Sequence, residues 1–184
     1  MEKTIEVKVE DIKRAFDEAD DNVKNCILNL FPQIREALPV TDRVKTFEDA
    51  CREVGIDPTQ YISKYDGESA DVIAYMKLRV ICKALNEGWT PRFAKGEFRY
   101  FPYFRLYSGE DIISMSEEEK SRVVFRSSSS AFAGGGVSCA GANYNCAYVG
   151  ANVGSRLVFK TRELTEYAGK QFIDLWADFC LTKK

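Results

Sequence analysis

Histidine is absent from this chain. That gap removes the commonest general base, the usual partner of a catalytic cysteine or serine, and the commonest nitrogen ligand of zinc. Acid–base work would fall to Asp, Glu, Lys, Tyr or Cys with a shifted pKa, and no motif announces one. No run approaches the ~20 apolar residues that span a bilayer. The first eight residues, Met1-Glu-Lys-Thr-Ile-Glu-Val-Lys8, carry charge at every second or third position and hold no apolar core of signal-peptide length. Synthesis and folding in the cytoplasm are therefore expected, with later residence in a virion left open. A dominant charge is also lacking: 26 Lys and Arg stand against 28 Asp and Glu, a net of −2. Overall attraction to nucleic acid or to an anionic membrane is not expected.

Two apparent motifs fall short. Gly134-Gly135-Gly136 is followed by no Lys-Ser/Thr, so backbone freedom in a hairpin explains it better than a phosphate loop. Glu117, Glu118 and Glu119 fit the start of a helix, with Ser116 and Glu119 in capping-box spacing, better than a carboxylate pair for glycoside cleavage. No catalytic residue, metal ligand or cofactor is expected, and an enzyme of unrecognised class is the third-ranked reading. Cys26, Cys51, Cys82 and Cys180 sit among apolar neighbours in helical patterns, as small buried hydrophobes do. Cys139 and Cys146 would form a disulfide only if two adjacent strands brought them together, and without an export signal reduced thiols are favoured.

The patterning that is present makes one α+β domain over residues 1–184. A helical N-terminal half (1–88) precedes an irregular antiparallel sheet in the second half (89–160), and a closing C-terminal helix (161–184) follows. Ile12, Phe16, Ala19, Val23, Ile27 and Leu30 recur at helical spacing over Val9 to Leu30. A second helix is expected from Thr46 or Phe47 to Val54, stopped by Gly55. The strongest runs from the cap Ser69 to Gly88. Strands are expected within Phe93 to Tyr107, at Arg122 to Phe125, in the small-residue run and at Arg156 to Lys160. One or two short helical turns should fall between Gly109 and Lys120. The last helix is expected from about Arg162 to Cys180, capped by Thr161.

Two stretches are candidates for binding. In an extended Phe98 to Tyr107, alternation places Phe98, Tyr100, Phe104 and Leu106 on one face and Arg99, Phe101, Tyr103, Arg105 and Tyr107 on the other. Pro102 argues for an edge position or a bulge. Alternating guanidinium and aromatic groups stack on sugar rings or on bases; the competing reading buries the aromatics and pairs the arginines with the acidic segment Glu110 to Glu119. The second stretch is Ser127 to Gly154, where 20 of 28 residues are Ser, Ala, Gly or Asn. Asn143, Tyr144, Asn145 and Tyr148 within it offer adaptable hydrogen bonds and amphipathic contact at low entropy cost. A tightly packed small-residue layer, which an oligomer interface would also use, is the alternative. The expected partner is a glycan or a protein, with single-stranded nucleic acid ranked behind.

Gly154-Ser-Arg-Leu-Val-Phe-Lys-Thr-Arg-Glu-Leu-Thr-Glu-Tyr-Ala-Gly-Lys-Gln-Phe172 resembles a recurrent ending in uncharacterised proteins of gut Bacteroidales and their phages, crAss-like phages included. Thr46 to Gly55, Ala84 to Trp89 and Tyr100 to Phe104 resemble earlier landmarks of the same family. The resemblance implies phage or prophage origin and brings no catalytic residues. Ser127 to Phe159 is also similar, more faintly, to C-type-lectin-like domains, which end in Ser/Asn/Gly-rich hairpins and a Gly-x-Arg-Leu strand.

Overall fold

Asp20 divides the first apolar pattern into two helices, because its carboxylate accepts from the backbone N–H of Val23 at 2.9 Å and starts a new helix there. The structure, a computed structural model, describes residues 5–92, 94, 96–125, 135–146 and 156–181. Its backbone falls into two compact units, Met1–Arg43 and Val44–Lys184. In the first, α1 (Val9–Glu18) lies against α2 (Asp21–Leu30) and a 3-10 turn (Pro32–Ala37), and α3 (Val40–Arg43) closes the unit. Arg43 donates from Nε to the carbonyl of Leu38 at 3.1 Å, and Arg35 donates to the carbonyl of Arg43 at 3.2 Å.

The second unit begins with α4 (Phe47–Glu53), started by a capping box in which Thr46 and Asp49 each accept from the other's backbone N–H. Gly55 ends it in the left-handed conformation (φ +68°). After α5 (Pro58–Ile62) comes the central helix α6 (Ala70–Leu85), whose buried stripe Ala74, Leu78, Ile81, Cys82 and Leu85 keeps three- and four-residue spacing. Both α4 and the last helix pack on it, so the wide apolar stripe read from the sequence does take the central place.

The sheet has three antiparallel strands in the order β1 (Phe98–Tyr107), β3 (Gly136–Cys146), β2 (Val124–Phe125). The small-residue strand is thus its middle. Between β1 and β2 lie α7 (Gly109–Ser114) and α8 (Glu117–Lys120), each opened by a capping box: Ser108 with Asp111, and Ser116 with Glu119. Donation from the Ser108 hydroxyl and backbone N–H holds the Asp111 carboxyl below its ordinary range. For Glu119 the Ser116 N–H and then its hydroxyl do the same. Both caps contribute above the ordinary carboxylate pKa and are lost as pH falls through the lowered one.

The terminal apolar pattern also divides, into α9 (Arg162–Gln171) and α10 (Ile173–Cys180), with Phe172 between them at φ −110°, ψ 30°. These two helices form a layer with α6 on one side and the sheet on the other. Tyr75 of α6 stacks on Phe179 at 5.8 Å, and Trp176 meets Phe104 of β1 at 5.2 Å. Gly169 sets the closeness of α9 to the sheet: a Cβ there would lie 2.6 Å from Cys139 Sγ and 3.2 Å from Pro102 Cβ. Gly169→Ala should destabilise by about 1 kcal/mol net, because overpacking of roughly 1–3 kcal/mol outweighs the ~1 kcal/mol that Ala gains over Gly in a helix. A urea titration checks this; an unchanged midpoint would mean that helix and sheet part there without cost.

Two expectations are corrected: Cys26 and Cys180 are exposed where burial was expected, because each falls on the outward side of its helix, and the last strand is absent. Arg156 to Lys160 is no strand; Phe159 alone bridges to Tyr100, through bonds of 2.8 and 3.1 Å. The next bonded pair along β1 would set Leu157 against Pro102, which has no N–H to give, so the ladder stops at Tyr100. On the segment's other edge Asn86, just beyond α6, donates to the carbonyl of Val158 at 2.8 Å and accepts from the N–H of Lys160 at 3.0 Å. The condition for a Cys139–Cys146 disulfide, two adjacent strands, is not met, since both stand on one strand, seven residues and about 23 Å apart, far beyond the ~6.8 Å Cα limit. The remainder of the small-residue run, 127–134 and 147–154, lies outside the described residues.

Candidate functional site

The register of β1 on β3 sorts the predicted residues by face. Tyr100 faces Tyr144, Phe101 faces Asn143, Pro102 faces Ala142 and Tyr103 faces Gly141. A bulge at Ala140 then lets Phe104 face Cys139, Arg105 face Ser138 and Tyr107 face Gly136. Tyr100, Pro102 and Phe104 therefore share the side on which α9 and α10 lie. Phe101, Tyr103, Arg105 and Tyr107 share the outer side, as strand alternation requires. Pro102 sits on an edge strand beside a bulge, where its missing N–H costs least.

Among the described residues only α7 reaches the outer face, at the Tyr107 end, where Ile112 and Val123 approach Gly136. Along the rest, Tyr103 is 56% exposed, Arg105 is exposed, and Phe101 and Tyr107 are half-buried. A step runs along the uncovered part of this face, because Tyr103 and Arg105 of β1 stand beside Gly141 and Ser138 of β3. A Cβ built on Gly141, opposite Tyr103, meets no atom within 4 Å. Tyr107 fixes the floor through a hydroxyl–hydroxyl bond of 3.1 Å to Ser138. Asn143 is exposed at the far end, its Oδ1 accepting from the N–H of Tyr144 at 2.8 Å.

Not every predicted residue joins this face as a contact. Arg99 has the right parity but is buried, 6% exposed, with Nη2 donating to the carbonyl of Arg92 at 2.7 Å. It holds the 92–97 turn, which Arg92 and Glu97 also close through an N–H···Oε1 bond of 2.6 Å. Tyr144 points to the opposite side, edge-on to Phe98 at 5.4 Å and tilted on Tyr100 at 5.9 Å. Asn145 faces Arg99 in the register. The side chain of Asn145 and all of Tyr148 lie outside the described residues. Sequence reasoning missed Ser138 and Gly141, whose roles depend on the cross-strand register; the only signal was that small residues interrupt alternation.

Arg105 does not pair with the acidic segment as the competing reading required. Glu117 takes Lys120 at 2.8 Å and Glu118 takes Arg122, while no carboxylate among the described residues lies within ion-pair distance of Arg105. The shifted thiols lie elsewhere and move away from reactivity. Burial pushes Cys82 up to about 12 and Cys51 up to about 11, and also raises Cys139. A separate groove of about 220 Å³ lies between the start of α6 and the end of α10, lined in part by Asp71, Asp178 and Cys180. It contains none of the predicted binding residues. Among the described residues no three Cys, Asp or Glu cluster to hold a metal ion, and no helix is long and apolar enough to cross a membrane.

Comparisons with protein-family models, curated proteins and solved structures give no match.

Proposed function

We propose that this protein is a non-enzymatic recognition module of phage or prophage origin whose outer sheet face binds a glycan. The observation that carries this is the step at Tyr103: an exposed ring opposite Gly141, which has no side chain and open space beside it, with Arg105 and Asn143 on the same face. Sugar rings pair an apolar face with a rim of hydroxyls. A tyrosine ring supplies the stacking surface, and guanidinium and amide groups supply directed hydrogen bonds. The small residues of β3 then serve as a low floor, which accounts for their place in the middle of the sheet. The phage origin rests on the C-terminal motif.

Single-stranded nucleic acid is the weaker reading. Polyanion binding draws on several neutralised phosphates, whereas the outer face offers one exposed arginine among the described residues and has the acidic α7 at its Tyr107 end. The test is binding to an array of bacterial surface polysaccharides, with Tyr103→Ala beside the parent protein. We expect binding that weakens at least tenfold in the variant and has a log–log salt slope no steeper than about −1. An array that stays blank, or binding indifferent to Tyr103→Ala, would remove the proposal.

A further inference from the structure

We infer that the ligand of this face carries a carboxylate and that Arg105 reads it: the ligand is a glycan containing an acidic sugar, with the charged group set between Tyr103 and Tyr107. The inference rests on the reading of the outer face as a glycan-binding surface and adds the chemical class of the ligand.

The first support is charge segregation. The chain has 28 acidic residues, yet residues 98–109 and 120–162, which supply all three strands, contain no Asp or Glu. A sheet cleared of carboxylates over its whole length does not repel an anion at close range. The second support is how the nearby cations are employed. Lys120 pairs with Glu117, Arg122 with Glu118 and Lys160 with Glu87. Arg162 reaches Glu166 at 3.8 Å and the carbonyl of Ala142 at 3.3 Å, and Arg99 is buried with Nη2 on the carbonyl of Arg92. Arg105 is exposed, stands on the outer face, and has no carboxylate within ion-pair distance among the described residues.

Its neighbours complete the site. Tyr103 and Tyr107 lie two residues away on either side, about 7 Å along the strand. Ser138 stands directly opposite with its hydroxyl steered by Tyr107. A guanidinium between two tyrosines presents a planar pair of donors, which fits the two oxygens of a carboxylate. One such group matches one local charge. The acidic start of α7, at the Tyr107 end, opposes a ligand charged along its whole length.

The experiment immobilises polysaccharides with one uronic or nonulosonic acid in each otherwise neutral repeat unit, each paired with its carboxyl-reduced form, and measures the parent protein, Arg105→Gln, Arg105→Lys and Tyr103→Ala by biolayer interferometry. We expect the parent to bind at least one acidic polymer tenfold or more tightly than its reduced form. Arg105→Gln should abolish that preference, Arg105→Lys should keep part of it, and Tyr103→Ala should weaken binding to both forms. Equal binding to acidic and reduced forms, still weakened by Tyr103→Ala, overturns the carboxylate inference and leaves the face in place. Absence of binding to either form by the parent overturns both. Arg105 is exposed and Tyr103 is on the outer face, so unchanged thermal melts of these variants will show that binding losses are not unfolding.

Discussion

Trp176→Ala is expected to lower the unfolding free energy by about 3–5 kcal/mol, the range for removing a fully buried large aromatic side chain. Trp176 is 2% exposed and stands where three parts of the second unit meet. Its ring lies 5.2 Å from Phe104 of the sheet and 6.2 Å from Phe179, which in turn stacks on Tyr75 of α6. Its Nε1–H donates to the carbonyl of Ala168 at 3.1 Å, in the last turn of α9, so the indole also fixes the angle at which α10 leaves α9. Trp176→Phe separates the two contributions: it keeps much of the ring packing and should cost only the hydrogen bond and a small void, about 1–2 kcal/mol. Urea unfolding of both variants gives the comparison. A loss below 1 kcal/mol for Trp176→Ala would show that the two helices and the sheet do not depend on this contact. Because Phe104 backs the strand that presents Tyr103 and Arg105, the same variant should also weaken any ligand of the outer face, although Trp176 is on the opposite side.

The elements that were legible in the sequence are those whose side chains repeat with one period along their whole length. The stripe of α6, the alternation of β1 and the cap at Ser116 all depend on spacing alone, and the structure keeps them. Breaks within a continuous apolar pattern were not legible. Val9 to Leu30 and Arg162 to Cys180 keep helical spacing across Asp20 and Phe172, so periodicity carries no mark where the backbone turns. The face of β1 was readable, but the fate of each residue on it was not. Arg99 and Arg105 have the same parity, but the first is buried and bonded to the carbonyl of Arg92 while the second is exposed. Tyr144 and Asn143 both looked like contacts, yet adjacent strand residues must point to opposite sides, which separates them. The middle position of β3 was hidden because Gly, Ala and Ser give almost no hydrophobic signal, and their value is the height they lack beside β1.

Asn86→Leu should destabilise by about 2–3 kcal/mol, although leucine nearly matches asparagine in size and is better suited to a buried site by hydropathy. Asn86 is 4% exposed and meets Val158 and Lys160 through bonds of 2.8 and 3.0 Å. The Cys82 thiol also donates to the Val158 carbonyl, at 3.0 Å, so that carbonyl keeps one donor in the variant. The partly buried Lys160 N–H loses its acceptor, and a donor orphaned away from water costs about 1–3 kcal/mol. Leucine is the harsher test because it fills the space that a water would need to replace the amide, whereas Asn86→Ala leaves room for one and should cost less. The consequence extends to the sheet. With Val158 and Lys160 released, Phe159 is no longer held against Tyr100, and the outer edge of β1 opens beside the predicted ligand site. Amide exchange at Tyr100 and Phe159 should therefore accelerate in Asn86→Leu more than exchange within α6, and equal acceleration in both places would mean that Asn86 stabilises the unit as a whole rather than pinning this segment.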